Sequence, residues 1–434
     1  MADYRLLEAL TRFDSQAAQT VFGAELTFER AQTEERIAPV QRVAIFAESF
    51  LPKLDGVSKT AFLTLRHLQQ TGREVLVFAP DTAPQVAGSS RVIRLPSFSL
   101  PIAPETRVAL PGLSIANELD RFKPDLIQLF SPTLLSTGGI IAARRRNIPI
   151  VATYQTDLPN YTHHYGFHLL AEPSRQWLRF LHNSCHLTLV PSRYTLRQLQ
   201  HSGYHRLRRW GRGVDGKRFN PTRRSAEWRA KLLNGRNPNS LLCLYVGRLA
   251  NEKRVDLLLE VARTPGIALT IIGDGARREE LEMLFAATNT HFTGYLYGEE
   301  LAMAYASADA FTFTGPCETF GQVVQEALAS GLPAIVINQG GVVDLVQDGI
   351  TGYICADEPE AFASAARKLR DDPELRQQMS QSARRFAEAR PWSAIMGQLE
   401  DYYCEALRLN ERFQQRNQAS GLNLQRLFFP QWGK

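Results

Sequence analysis

The chain has no cysteine framework. Its five cysteines, Cys185, Cys243, Cys317, Cys355 and Cys404, are scattered over 434 residues and form no C-x-x-C pair. That spacing excludes a disulfide scaffold and a zinc ribbon, and it points to a reducing compartment. Cys317 directly precedes Glu318, but no histidine partner is evident, and it reads as a small space-filling residue. No run approaches the roughly 18 apolar residues that a membrane span needs. The first residues, Met-Ala-Asp-Tyr-Arg, carry no apolar leader and no cleavage pattern. The expected location is the cytoplasm, or a peripheral place on the cytoplasmic face of the membrane. There is no low-complexity tract and no short repeat. No aromatic-interleaved basic patch or reader motif is present, so nucleic acid is not an expected partner. The charge of +6 and pI near 9.1 suit anionic ligands or an anionic membrane surface instead.

Hydrophobic residues make up 44% of the chain and charged residues 22%, as in an ordinary globular protein large enough for two domains. Short apolar strands alternate with helical stretches. The strands of the first half are Val43–Ala47, Val75–Ala79, Val92–Leu95, Asp125–Leu129, Ile150–Tyr154 and Leu187–Val190. Those of the second are Leu241–Val246, Ala268–Ile272, His291–Thr293, Ala310–Thr314 and Ala334–Ile337. Such alternation predicts parallel sheets covered on both faces. The rhythm breaks over 206–240, where ten basic residues fall within 26 positions, 206–231, ahead of a turn-rich stretch. The expected organisation is an N-terminal helical extension over 1–41 and an α/β domain over 42–220. A second α/β domain spans 221–391, and a helix with an aromatic tail covers 392–434. The basic run reads as a solvated linker or as a contact with anionic lipid. The tail reads as docked on the protein or held at an interface.

The most informative stretch is Glu318-Thr-Phe-Gly-Gln-Val-Val-Gln-Glu326. A strand runs into it, a helix runs out of it, and Gly331 and Pro333 stop that helix. Free amides at a helix start favour anions. Carboxylates there would repel an anion unless they bind hydroxyls on the same ligand. A nucleotide-activated sugar has both parts, a diphosphate and two sugar rings. Three further segments fall at expected strand ends, where open α/β sheets bind ligands. Gly56 lets backbone approach a ligand at a helix start. Gln155 and Asp157 offer polar groups to sugar hydroxyls. Arg248 and Lys253 are paired cations suited to a diphosphate and to the charge that develops as it leaves. Gly273, in Ile272-Gly-Asp-Gly275, suggests contact with a nucleotide.

This ordered set resembles the retaining GT-B glycosyltransferases of family 4, over about residues 42–410. The implied fold is two Rossmann-like doubly wound parallel-sheet domains with a cleft between them. The resemblance implies Glu318 on the transferred sugar and backbone of Phe320, Gly321, Gln322 and Val323 on sugar hydroxyls and phosphate. It places Glu326 on the ribose, Arg248 and Lys253 on the diphosphate and Gly56 under the donor phosphates. It implies no bound metal and no cofactor, the nucleoside-diphosphate sugar being a co-substrate. Many members carry histidine where Gln155 stands, so a general base is not implied at that position.

Glu48-Ser-Phe-Leu-Pro, Tyr154-Gln-Thr-Asp157 and the two-glutamate motif are similar to those of GDP-mannose-dependent α-mannosyltransferases of glycolipid synthesis. Trp210-Gly-Arg-Gly-Val-Asp215 and Phe292-Thr-Gly-Tyr-Leu-Tyr-Gly298 also resemble sulfoquinovosyl-diacylglycerol synthases. The expected activity is hexosyl transfer to a lipid or glycolipid acceptor, with GDP-mannose the favoured donor. The alternatives are a UDP-sulfoquinovose or other UDP-hexose transferase and, outside transferases, a nucleotide-sugar epimerase.

Overall fold

The computed structural model describes residues 40–419 apart from 54, 101–102, 157–167 and 289. The expected N-terminal helix, the aromatic tail and Asp157 therefore lie outside the described residues.

The first sheet has strands β1 (Arg42–Ala47), β2 (Glu74–Pro80), β3 (Val86–Ala87), β4 (Ser90–Leu95), β7 (Leu126–Phe130), β8 (Ile150–Thr153), β9 (Leu187–Val190) and β10 (Leu207–Arg209). Their order is β10-β9-β8-β7-β1-β2-β4-β3, and only the β3–β4 pairing is antiparallel. A hairpin, β5 (Ser97–Leu100) with β6 (Ala103–Ala109), stands beside it. The apolar runs of the central strands are buried on both faces. One face packs Val43, Ile45 and Val77 against the helix Gly56–Gln70, and the other packs Ala44, Phe46 and Phe78 against the helix Leu134–Arg146.

The second sheet runs β13-β12-β11-β14-β15-β16, all parallel. Its strands are β11 (Leu241–Val246), β12 (Ile267–Ile272), β13 (His291–Gly294), β14 (Ala310–Phe313), β15 (Ala334–Ile337) and β16 (Gly352–Cys355). Counted from β11, this is the doubly wound order 3-2-1-4-5-6, which places a crevice between β11 and β14.

The chain crosses between the sheets twice, and the crossings lie side by side. Val214 N–H donates to Arg390 O at 3.1 Å, and a β-carbon on Gly213 would stand 2.5 Å from Trp392 Cα. Past Trp392 the helix Trp392–Ala419 packs Met396, Leu399 and Tyr403 into the core of the first domain, not the second. Trp210 Nε1 donates to Ile395 O at 2.9 Å and pins that return.

Much of the basic run over 206–231 is spent on partners within the protein rather than left as a solvated linker. Arg206 is bonded to the carbonyls of Asn183 and Cys185. Arg208 pairs with Glu405, Arg223 with Glu299, and Arg224 and Arg229 share Asp309. Arg212 is buried against the Trp210 ring, and desolvation pulls its guanidinium down to about 9. The physical reason is that chain crossings leave carbonyls and strand ends unpaired, and fork-shaped guanidinium groups satisfy several at once.

Candidate functional site

The crevice of the second sheet is built by the loops after β11 and β14. Tyr245, near the end of β11, lies flat against Phe313 at the end of β14, with ring centroids 6.0 Å apart. Burial pushes the Tyr245 hydroxyl upward, and it feels the charges of Lys253, Glu318, Glu252 and Arg248 together. The loop after β11 turns through a short 3-10 segment, Asn251–Lys253, and Thr314 Oγ1 donates to Lys253 O at 2.7 Å. The Lys253 stem is buried, and its ammonium sits 5.7 Å from the Phe313 ring centroid and pairs with Glu318. Arg248 is half-exposed and bonds Glu252 at 3.0 Å, while Glu252 itself is 2% exposed.

The loop carrying Glu318 is shaped by glycines that sequence reasoning passed over. Gly340 adopts φ +77°, and a β-carbon there would stand 2.5 Å from Pro316 O. On Gly341 it would stand 2.1 Å from Thr319 O, while the Gly341 amide donates to Glu318 O at 2.6 Å. The only visible signal was Gly340-Gly341 itself, after the strand Ala334–Ile337. Gly321 then starts the helix Gln322–Ala329 at φ +94°, with no side-chain cap, so the first-turn amides keep the anion-favouring character of an uncapped helix start. Gly321 has no room for a β-carbon, which would fall 2.5 Å from Val342 Cγ1. Gln325 Nε2 donates to Arg212 O at 2.9 Å, and Gln322 Nε2 to Gly213 O at 3.1 Å. The motif helix is thereby bonded to the crossover between domains.

Glu326 is buried one turn into that helix. Its partner comes from the other domain: Lys59 Nζ lies 3.2 Å from Glu326 Oε1. Tyr305 donates to Val323 O at 3.2 Å, and burial beside the Glu326 charge raises its hydroxyl pKa. Gly273 packs backbone on backbone: at φ +142° a β-carbon would stand 1.9 Å from Gly247 O, so glycine is required for the loop after β12 to lie on the loop that carries Arg248.

The first domain faces this site. Gln155 accepts from Thr319 Oγ1 through its carbonyl at 2.9 Å, its Nε2 donates to Thr153, and its Oε1 is buried with no partner among the described residues. Gly56 has open space where a β-carbon would be. However, Asp55 caps that helix, its Oδ1 accepting from Val57 N–H and Ser58 N–H. Those two amides are committed to a carboxylate, which leaves Gly56's part to its open surface. Glu48, at the end of β1, reaches across that sheet's own switch point, where its Oε1 accepts from Thr133 N–H at 2.8 Å and Ser136 N–H at 2.9 Å. Burial raises its pKa against those two bonds. Ser131, Thr133, Tyr154, Thr156 and His182 line a small cavity beside it.

No group of three or more His, Cys, Asp or Glu among the described residues is placed to hold a metal ion. No helix among them is long and apolar enough to cross a membrane.

Comparison with known proteins gives this geometry a family. The model "Glycosyltransferase Family 4" matches residues 54–218, and "Glycosyl transferases group 1" matches 226–386. The chain is 41% identical over 379 residues to the GDP-mannose-dependent alpha-mannosyltransferase of Mycobacterium tuberculosis (strain CDC 1551 / Oshkosh), covering 85% of this chain and 97% of the relative. It is 37% identical to the sulfoquinovosyl transferase SQD2 of Arabidopsis thaliana, covering 83% of this chain and 72% of that protein. Among solved structures, sucrose-phosphate synthase from Thermosynechococcus elongatus superposes with a TM-score of 0.68 at 22% identity, over 84% of this chain and 98% of that one. WaaG, a glycosyltransferase involved in lipopolysaccharide biosynthesis, gives 0.62 at 18%, over 83% and 99%. The chain belongs to family 4 of the glycosyltransferases and has the GT-B fold.

Proposed function

We propose that the protein moves a mannosyl group from GDP-mannose to a lipid or glycolipid acceptor, with retention at the anomeric carbon and without a metal ion. The observation that carries this reading is the cluster at the β11–β14 crevice: Lys253 paired with Glu318, Arg248 beside it, and an uncapped helix start between Glu318 and Glu326. A diphosphate at that helix start would meet two cations and the first-turn amides, which stabilise negative charge as it forms. Glu318 would hold hydroxyls of the sugar and Glu326 those of the ribose. In the reaction the bond from the anomeric carbon to the phosphate oxygen breaks. A bond to the acceptor oxygen forms on the same face, and the acceptor proton passes to the leaving phosphate. Gln155 cannot take that proton, and this route does not ask it to.

The mannosyltransferase relatives at 41%, 36% and 38% identity support the donor. A lipid acceptor is supported by relatives named alpha-monoglucosyldiacylglycerol synthase. Such an acceptor places the enzyme peripherally on the cytoplasmic face of a membrane. The relative SQD2 favours one second reading, sulfoquinovosyl transfer from a UDP donor.

The test is release of GDP or UDP with GDP-mannose, UDP-glucose and UDP-sulfoquinovose against diacylglycerol and glycolipid acceptors, with EDTA present and absent. The anomeric configuration of the product is read by NMR. GDP-mannose turnover that survives EDTA, is lost in Glu318→Ala and gives an α-linked product supports the proposal. Turnover only with UDP-sulfoquinovose supports the second reading. An inverted product, or full activity in Glu318→Ala, refutes the mechanism.

A further inference from the structure

Glu326 draws its counter-charge from the opposite domain. Lys59 sits in the first turns of the helix Gly56–Gln70, 267 positions away in sequence, and its ammonium lies 3.2 Å from Glu326 Oε1. The pair is largely withdrawn from solvent, with side-chain exposures of 23% for Lys59 and 7% for Glu326. It does not stand alone. Thr319, next to Glu318, donates to the Gln155 carbonyl at 2.9 Å and accepts through its own carbonyl from Thr195 Oγ1 at 3.3 Å. The Asp344 carboxylate accepts from the amides of Arg193 and Tyr194 at the start of the helix Arg193–His201. The loop with Glu318, the helix with Glu326 and the turn behind them are thus all tied to the first domain.

We infer that Lys59 is a positioning residue for the donor ribose. It holds one oxygen of Glu326 from across the cleft and leaves the other to accept from a ribose hydroxyl. Ribose recognition is then complete only when the two domains are closed on each other. The inference rests on the reading of Glu326 as the ribose carboxylate. A buried carboxylate that loses its partner cation is strongly disfavoured in its ionised form. Without Lys59, Glu326 therefore loses both its charge balance and its fixed rotamer. The cost falls on donor binding, which the bond-breaking step shares between ground and transition states.

The experiment measures nucleotide binding and steady-state kinetics in wild type, Lys59→Met, Lys59→Arg, Glu326→Gln and the double variant Lys59→Met/Glu326→Gln. The ligands are GDP and 2′,3′-dideoxy-GDP, with the uridine pair as a parallel set. Lys59→Met is expected to raise the donor KM about tenfold while kcat stays within about threefold. It should weaken the ribonucleotide much more than the dideoxy form, and the double variant should be no worse than Glu326→Gln alone. Lys59→Arg should restore most of the loss. An equal loss for both nucleotides, or effects that add in the double variant, would mean that Lys59 serves the phosphates directly and would overturn the inference. Unchanged binding in Lys59→Met overturns it as well. If wild type transfers sugar but Glu326→Gln still distinguishes GDP from its dideoxy form normally, the ribose reading of Glu326 fails instead.

Discussion

Gly341→Ala is the smallest change that should disable the site without touching a charged group. The β-carbon it adds would stand 2.1 Å from Thr319 O, 2.4 Å from Thr319 C and 2.8 Å from Phe320 N. All three atoms are backbone, so no flexible side chain can swing aside. Ordinary contact begins near 3.4 Å, so the strand of loop between Glu318 and Gly321 must move by more than 1 Å. The same shift breaks the 2.6 Å bond from the Gly341 amide to Glu318 O. A displacement of about 1 Å at reacting groups lowers rates on the order of a hundredfold. Overpacking of this kind destabilises by about 1–3 kcal/mol, less than a whole domain's stability, so the protein still folds. The assay is kcat/KM for sugar transfer beside a circular-dichroism melt. The control is Gly397→Ala, a helical site with open space around its β-carbon, expected to keep full activity. A Gly341→Ala enzyme with an intact fold and activity within about threefold of wild type would refute the claim that this glycine sets the Glu318 loop.

Lys253→Ala should lose most turnover, at least about a hundredfold, with little change in melting temperature; near wild-type kinetics would remove Lys253 from the diphosphate role. The buried imidazoles of His182 and His186 are each pulled down to about 3 by burial, and His186 Nδ1 accepts from Ile150 N–H at 2.9 Å. The unfolded chain therefore binds protons that the folded one refuses, so stability falls as pH drops below about 6.5, by about 2 kcal/mol per histidine at pH 5. Urea titrations of wild type and His182→Phe at pH 7 and pH 5 check this, and an equal loss in both proteins counts against it. Glu48 has the opposite sign: burial raises its pKa, so its contribution is present at low pH and is lost as pH rises through the usual carboxylate range to the folded value. Glu48→Gln should accordingly gain on wild type as pH rises above the usual carboxylate range in the same titrations, and a constant difference would show that Glu48 is ionised in the folded protein as readily as in the unfolded chain.

The strands with continuous apolar runs, such as Leu241–Val246 and Ala334–Ile337, were legible because both faces of a parallel sheet are dry. The hairpin β5–β6, the edge strands β3 and β10, and β16 were not. β3 is only two residues long, β10 and β16 carry polar or glycine residues, and β5 and β6 pair only with each other, so neighbouring strands rather than a local apolar run make each of them a strand. The expected strand Asp125–Leu129 starts one residue later because Asp125 instead accepts from the amides of Gln41 and Arg42. At the site, Arg248, Lys253 and Glu318 could be picked out because each lies in a strand-to-helix junction, and Glu326 because it follows Glu318 by eight residues in the helix that junction starts. Glu252, which holds Arg248 in place, was hidden inside the same loop. Lys59 and Gly341 were hidden for another reason: their roles exist only when segments far apart in sequence meet.

The charges at the site follow a single logic. Both motif glutamates would repel a diphosphate if they stood alone at a helix start. Neither does: Glu318 is paired with Lys253 from its own domain, and Glu326 with Lys59 from the other. Each pairing cancels a negative charge where the proposed function brings an anion, yet leaves carboxylate oxygens that can accept from hydroxyls. Lys253 can turn from Glu318 to a phosphate without crossing the cleft, since its buried stem and the Thr314 bond fix its backbone. Lys59 cannot keep its pairing if the domains part. On the proposed reading, donor chemistry would be prepared inside one domain, while retention of the nucleotide would depend on both.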